Sequence, residues 1–194
     1  MNNINKIQIQ SERLILRLIE IQDADAVFRY RSDAEVNKYQ GWIPQTLDEV
    51  RDFISRNISA EMNVPDTWVQ FVIVEKNSRQ LIGDIGIHFL PSDLFQVEIG
   101  CTLDIGYQGK GFATEALDQT INFLFGELKK HRITASIDPR NKASIGLMER
   151  LGFRLEAHFR QSLWIGGEWV DDLVYALLKE EWEAKNKSFF QAKM

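Results

Sequence analysis

The stretch Tyr107-Gln108-Gly109-Lys110-Gly111-Phe112-Ala113-Thr114 lies between a strand-like segment and a long amphipathic one. Two glycines at a strand-to-helix junction let the backbone turn tightly and present its N–H groups. The first N–H groups of a helix have no partner within it, and the helix dipole favours negative charge there. Residue types and spacing therefore point to a seat for a phosphate or pyrophosphate.

Two familiar phosphate-binding spacings fit poorly. Gly106 and Gly111 are spaced as in a P-loop, but Phe112 and Ala113 stand where that loop needs Lys and Ser/Thr. Gly109 and Gly111 match part of a dinucleotide fingerprint, yet Thr114 takes the place of its third glycine and the motif falls past mid-chain. A third spacing, Gln/Arg-x-x-Gly-x-Gly/Ala, is met in full by Gln108, Gly111 and Ala113.

The elements that must position this loop can be read from periodicity. Arg13 to Leu18 alternates as a first strand. Asp23 precedes a helix to about Arg31, and Lys38 to Pro44 reads as a loop carrying Tyr39 and Trp42. Thr46 with Glu49 forms a capping-box pattern for a helix running toward Met62. Trp68–Glu75, Gln80–Phe89 and Gln96–Asp104 read as three strands of an antiparallel meander, with turns at Asn77-Ser78-Arg79 and Pro91-Ser92-Asp93. A helix over about Lys110–Lys129 carries one apolar stripe through Ala113, Ala116, Leu117, Thr120, Ile121, Leu124 and Leu128. A strand at Ile133–Ile137, a short helix capped by Asn141 and ending near Gly152, and two strands flanking Gly166-Gly167 complete the chain. The result is an α+β, mixed α/β class: a sheet with helices on its faces.

The 194 residues suit one domain spanning 1–194. A net charge of −5 without a dense basic run argues against nucleic acid as the main partner. It is compatible with a cationic amine. Cys101 is the one cysteine and cannot form an internal disulfide, and no secretory signal is seen, so a cytoplasmic location is expected. No apolar run approaches the roughly 20 residues of a membrane span, so no membrane partner is expected. His88, His131 and His158 are scattered, so no metal is expected.

The Gln108/Gly111/Ala113 spacing resembles the pyrophosphate signature of the GNAT acyltransferase superfamily. Three further segments agree in order: the opening Ser11-Glu12-Arg13-Leu14-Ile15-Leu16-Arg17, Asn141-x-x-Ser144 followed by Leu151-Gly152-Phe153, and Gly166 to Asp172 with Tyr175 and Leu178. Together they resemble the branch of ribosomal-protein N-terminal acetyltransferases RimJ and RimL, over about residues 11–182. The resemblance implies a mostly antiparallel sheet with splayed middle strands, and acetyl-CoA as co-substrate. It implies pantetheine beside Ile99, Cys101 and Leu103, with pyrophosphate on Gln108, Gly109, Lys110, Gly111, Phe112, Ala113 and Thr114. Asn141 would contact pantetheine as well as cap its helix.

The same resemblance makes the chain an N-acetyltransferase acting on a primary amine by direct attack in a ternary complex. An α-amino group with pKa near 8 is about one-tenth deprotonated at neutral pH, so a base helps. Glu98 is the candidate base, with Asp84 a weaker one. Many relatives use a tyrosine seven residues after the Asn; Met148 stands there and cannot donate a proton. The branch places the Asn-x-x-Ser serine near the sulfur, which gives Ser144 that role as hydrogen-bond donor or proton relay. Tyr39, Trp42 and Trp164 are candidates for the acceptor pocket. A nucleophilic Cys101 is disfavoured because no histidine lies near it in sequence. The acceptor stays open between a protein N-terminus and a small amine, and a homodimer is compatible with the branch. An alternative function is an acetyl-CoA sensor without catalysis.

Overall fold

The computed structural model describes residues 7–58, 61–91 and 94–191. Among them, eight strands form one sheet: β1 (Gln8–Gln10), β2 (Leu14–Leu18), β3 (Thr67–Glu75), β4 (Leu81–Phe89), β5 (Gln96–Leu103), β6 (Arg132–Ile137), β7 (Arg154–Ile165) and β8 (Glu168–Leu178). Their spatial order is β1-β2-β3-β4-β5-β6-β8-β7. Every neighbouring pair is antiparallel except β5 and β6, which run parallel. The helices are α1 (Ala24–Arg31), α2 (Ala34–Asn37), α3 (Leu47–Asn57), α4 (Phe112–Gly126), α5 (Lys142–Leu151) and α6 (Lys179–Gln191). This is the expected mixed, mostly antiparallel sheet with helices on both faces.

Strand alternation divides the core. Leu14, Leu16, Phe71, Ile85, Ile87, Val97 and Ile99 point to one face and pack against Ala116, Leu117, Ile121 and Leu124 of α4 and Leu151 of α5. Val72 points the other way and joins Val27, Tyr30, Val50 and Ile54 under α1 and α3. The stripe read from sequence on α4 is thus the surface that seats this helix on the sheet.

The turn chemistry also holds. Thr46 Oγ1 accepts the N–H of Glu49 at 3.2 Å, and the Glu49 carboxylate takes the N–H of Gln45 at 2.8 Å, one residue before the position a capping box uses. Gly152 ends α5 with φ of +97°, a conformation a side chain would strain. The meander is present with Arg79 in its first turn at φ of +58°. In its second turn, Ser92 and Asp93 lie outside the described residues.

Three elements go beyond the sequence reading. β1 adds an edge strand to β2, α2 interrupts the segment before the Tyr39 loop, and α6 follows β8 directly. Helix α3 stops at Asn57, and α4 stops at Gly126 where Lys129 turns the chain at φ of +55°.

Candidate active site

The gap that defines the site comes from how β5 ends its pairing. On one side β5 stays with β4 as far as Leu103 opposite Gly83. On the other it pairs with β6 only at Gln96–Arg132, Val97–Ile133 and Glu98–Thr134. Meanwhile β6 stays with β8 as far as Ile137 opposite Leu173. Each strand follows its outer neighbour, so the two part after Glu98.

A cleft of about 880 Å³ lies beside the end of β5 that β6 leaves unpaired. Cys101 and Leu103 line it from β5, and Asn141, Ser144 and Leu147 line it from α5. The glycine loop closes its end with Gln108, Gly109, Gly111, Phe112, Ala113 and Thr114, and Tyr39 enters from the loop after α2. Residues spread over a hundred positions of sequence therefore share one surface. Ile99 faces the core instead, and Glu98, Lys110 and Trp42 lie outside the lining. Trp42 stacks on Phe53 with ring centroids 4.5 Å apart.

The glycine loop is built for exposed N–H groups. Gly109 and Gly111 have φ of +72° and +82°, in the left-handed region that glycine adopts without strain. Gly111 is the N-cap of α4, and no side chain caps the first turn, so its N–H groups stay available to an anion. Gln108 Nε2 donates to the carbonyl of Leu103 at 2.9 Å, tying the loop to the end of β5. Unpartnered N–H groups at a helix start suit a phosphate-type anion, and the unpaired end of β5 adjoins them.

At the opposite wall, Asn141 Oδ1 accepts the N–H of Ser144 at 3.1 Å and caps α5. The Ser144 hydroxyl makes no hydrogen bond among the described residues while facing the cleft. Met148 is buried in the main core, so the position cannot supply a proton by rearrangement. Arg140, just before this cap, forks between Asp138 and Glu168 of the β7–β8 turn, each at 2.7 Å. Its guanidinium also lies 5.9 Å from the Tyr39 ring, so it joins three segments at the cleft edge. Sequence reading missed Arg140 although it adjoins the Asn141 motif.

Glu98 sits where the strands part, as the last β5 residue paired to β6. Burial pushes its carboxyl above the usual range, with His88 acting against this and Asp172 adding to it. On the same face the next residue is Gly100, where an added Cβ would meet nothing within 4 Å. The surface beside Glu98 is therefore open to an approaching group.

Asp84, the weaker base candidate, is committed elsewhere. It is 1% exposed and accepts hydrogen bonds from Tyr30 Oη, from Gln70 Nε2, and from Arg31 through both Nε (3.0 Å) and Nη2. Arg31 passes on to Gln40 Oε1 at 3.3 Å, and Gln40 Nε2 donates to Thr102 Oγ1 at 2.7 Å. A buried ion pair thus fixes the loop after α2 against β5, beside the cleft.

Burial, then the charge of Asp84, pushes the Cys101 thiol up to about 12. Iodoacetamide should therefore alkylate native Cys101 on the order of a thousandfold more slowly at neutral pH than an ordinary exposed thiol. Unfolding in urea should restore the ordinary rate; equal rates in the native and unfolded states would contradict this environment.

A model of the acetyltransferase (GNAT) domain matches residues 13–154. The chain is a GNAT acetyltransferase. The uncharacterized N-acetyltransferase p20 of Bacillus licheniformis is 34% identical over 175 residues, covering 90% of this chain and 97% of that protein. The [ribosomal protein uS5]-alanine N-acetyltransferase of Escherichia coli is 27% identical, covering 93% and 95%. A solved GNAT-family acetyltransferase from Bacillus anthracis aligns with a TM-score of 0.78 at 33% identity, covering 90% of this chain and 99% of that one. The similarity places this GNAT chain in the RimJ/RimL-like branch. Its relatives are named as enzymes, which favours acetyl transfer over a sensor. Among the described residues, no helix is long and apolar enough to cross a membrane.

Proposed function

We propose that this GNAT chain transfers the acetyl group of acetyl-CoA to a primary amine by direct attack in a ternary complex. The observation that carries this reading is the cleft shared by the unpaired end of β5, the glycine-opened helix α4 and the start of α5. In this reading the N–H groups from Gly109 to Thr114 hold the pyrophosphate, with Gln108 bracing the loop. Free backbone groups of β5 beyond Glu98, near Ile99, Cys101 and Leu103, pair with the pantetheine arm. Acetyl-CoA brings the activated thioester; the protein orients it and manages protons. A backbone N–H of β5 aimed at the thioester carbonyl stabilises the charge that develops there.

Glu98 takes the proton from the amine, directly or through a water. Its raised affinity for protons makes it a better base for an ammonium than an ordinary carboxylate, and the bare surface at Gly100 leaves room for the amine. Ser144, with its hydroxyl unengaged in the cleft, donates a hydrogen bond to the departing sulfur. Asn141 orients the start of α5 and reaches the pantetheine. Tyr39, held beside Arg140 at the cleft edge, contacts the acceptor.

The acceptor class follows by analogy with the uS5-alanine relative: the α-amine of a protein N-terminus. The free-thiol release assay tests both levels. Acetyl-CoA is offered with short N-terminal peptides, including ones starting with alanine or serine, and with polyamines and aminoglycosides. Turnover on peptides is expected. Turnover only on small amines would move the acceptor, and none on any amine would overturn the enzymatic reading.

A further inference from the structure

Two residues of the glycine loop sit at positive φ, and glycine has the largest backbone entropy to lose on ordering. Gln108 ties the loop to the end of β5, and a second support comes from the residues just before β2. Arg13 touches the loop without lining the cleft. Its Nη1 donates to the carbonyl of Lys110 at 3.1 Å, and its guanidinium carbon stands 4.3 Å from the centroid of the Phe112 ring. A Cβ on Gly111 would come within 3.4 Å of its Nη2.

The same guanidinium pairs with Glu115 in the first turn of α4, Nε to Oε2 at 2.6 Å. The other carboxylate oxygen accepts the N–H of Arg13 at 2.8 Å and the hydroxyl of Ser11 at 2.6 Å. Burial opposes the charge on Glu115, but the bonds from Ser11 and Arg13 prevail and hold its carboxyl below the usual range. A carboxylate is thereby kept ionised one residue beyond the N–H groups of a phosphate seat. Alone it would repel the anion; with Arg13 the pair is neutral. One arginine therefore touches residues 110, 112 and 115 and both shapes the seat and cancels the charge beside it.

We infer that Arg13, with Ser11 and Glu115, is a positioning clamp that preorganises the glycine loop for the pyrophosphate of CoA. The inference rests on the acetyl-CoA reading above. It joins two motifs about a hundred residues apart by a mechanical link: the Ser-x-Arg just before β2 supports the Gly-x-Gly loop. Binding to a loop already ordered avoids the ordering cost, which is where the affinity arises.

The test compares two probes on the full chain, coenzyme A and pantetheine, which lacks the pyrophosphate. Their dissociation constants are measured by calorimetry for wild type, Arg13→Gln and Arg13→Lys, beside a thermal melt of each. Arg13→Gln should weaken coenzyme A about tenfold and leave pantetheine unchanged, through loss of charge-assisted bonds and loop order. Arg13→Lys should recover only part of the affinity, since an ammonium cannot serve both Glu115 and the Lys110 carbonyl. Equal losses for both probes, or a lowered melting temperature with unchanged affinities, would overturn the clamp and leave Arg13 a structural residue. Wild-type protein that binds neither probe would overturn the acetyl-CoA reading itself, and the clamp with it.

Discussion

Replacing Glu98 by Gln lowers kcat/KM at neutral pH by about a hundredfold, the usual size of a lost general base, while acetyl-CoA affinity stays near that of wild type. The effect should depend on pH in a defined direction. Burial raises the Glu98 carboxyl, so the acid limb of the wild-type profile lies above the ordinary carboxylate range. Below that limb Glu98 is protonated and accepts nothing, and wild type should fall toward the Gln variant. Above it the wild-type advantage is complete, until the solution is alkaline enough to free the amine without help. Parallel pH profiles of kcat/KM for the two proteins check this. Overlapping profiles would remove Glu98 as the base.

The second large effect is on stability. Arg31→Met strips the guanidinium from Asp84, whose carboxylate is 1% exposed and keeps only Tyr30 and Gln70. Leaving one partner of a buried pair behind costs about 3–5 kcal/mol. For a chain of this size that lowers the melting temperature by on the order of 10 °C. The loop after α2 should loosen as well, because Arg31 is its link through Gln40 to Thr102. Removing both charges, with Arg31→Met and Asp84→Asn together, should recover part of the loss, since no buried ion is left unpaired and the Asn side-chain oxygen can still accept from Tyr30 and Gln70. Urea unfolding of the single and double variants measures both terms. A loss under about 1 kcal/mol for Arg31→Met would mean that solvent reaches Asp84 after all.

What could be read from the sequence follows from how local each signal is. Gln108 to Thr114 carries its meaning in adjacent glycines and the start of an apolar stripe, and the structure puts six of these seven residues on the cleft. Asn141 and Gly152 mark the two ends of α5 because capping is a local chemistry. The meander from Thr67 to Leu103 was legible from alternation and turn residues.

The elements that escaped have weak local signals. β1 is three residues long, α2 four, and α6 has a polar sequence whose place is set by docking Trp182 on Phe125. The long-range partnerships escaped for a different reason. Arg31 meets Asp84 across 53 residues and Arg13 meets Glu115 across 102, and nothing in either neighbourhood names its partner. Trp42, an acceptor-pocket candidate by its place in a loop, also stacks on Phe53, a partnership its neighbours in sequence do not name. The parting of β5 from β6 was expected only through resemblance, since it depends on register that no single strand encodes.

The most direct test of acetyl-CoA binding by the glycine loop is calorimetric titration of wild type and Gly111→Val. Valine is strained at φ of +82°, and its Cβ would crowd Arg13 at 3.4 Å. Wild type should bind one equivalent of acetyl-CoA. The variant, with its fold verified by circular dichroism, should bind at least about tenfold more weakly, as a lost anion seat requires. Equal affinity in the two proteins would contradict the placement of the pyrophosphate on this loop, and with it the assignment of the cleft.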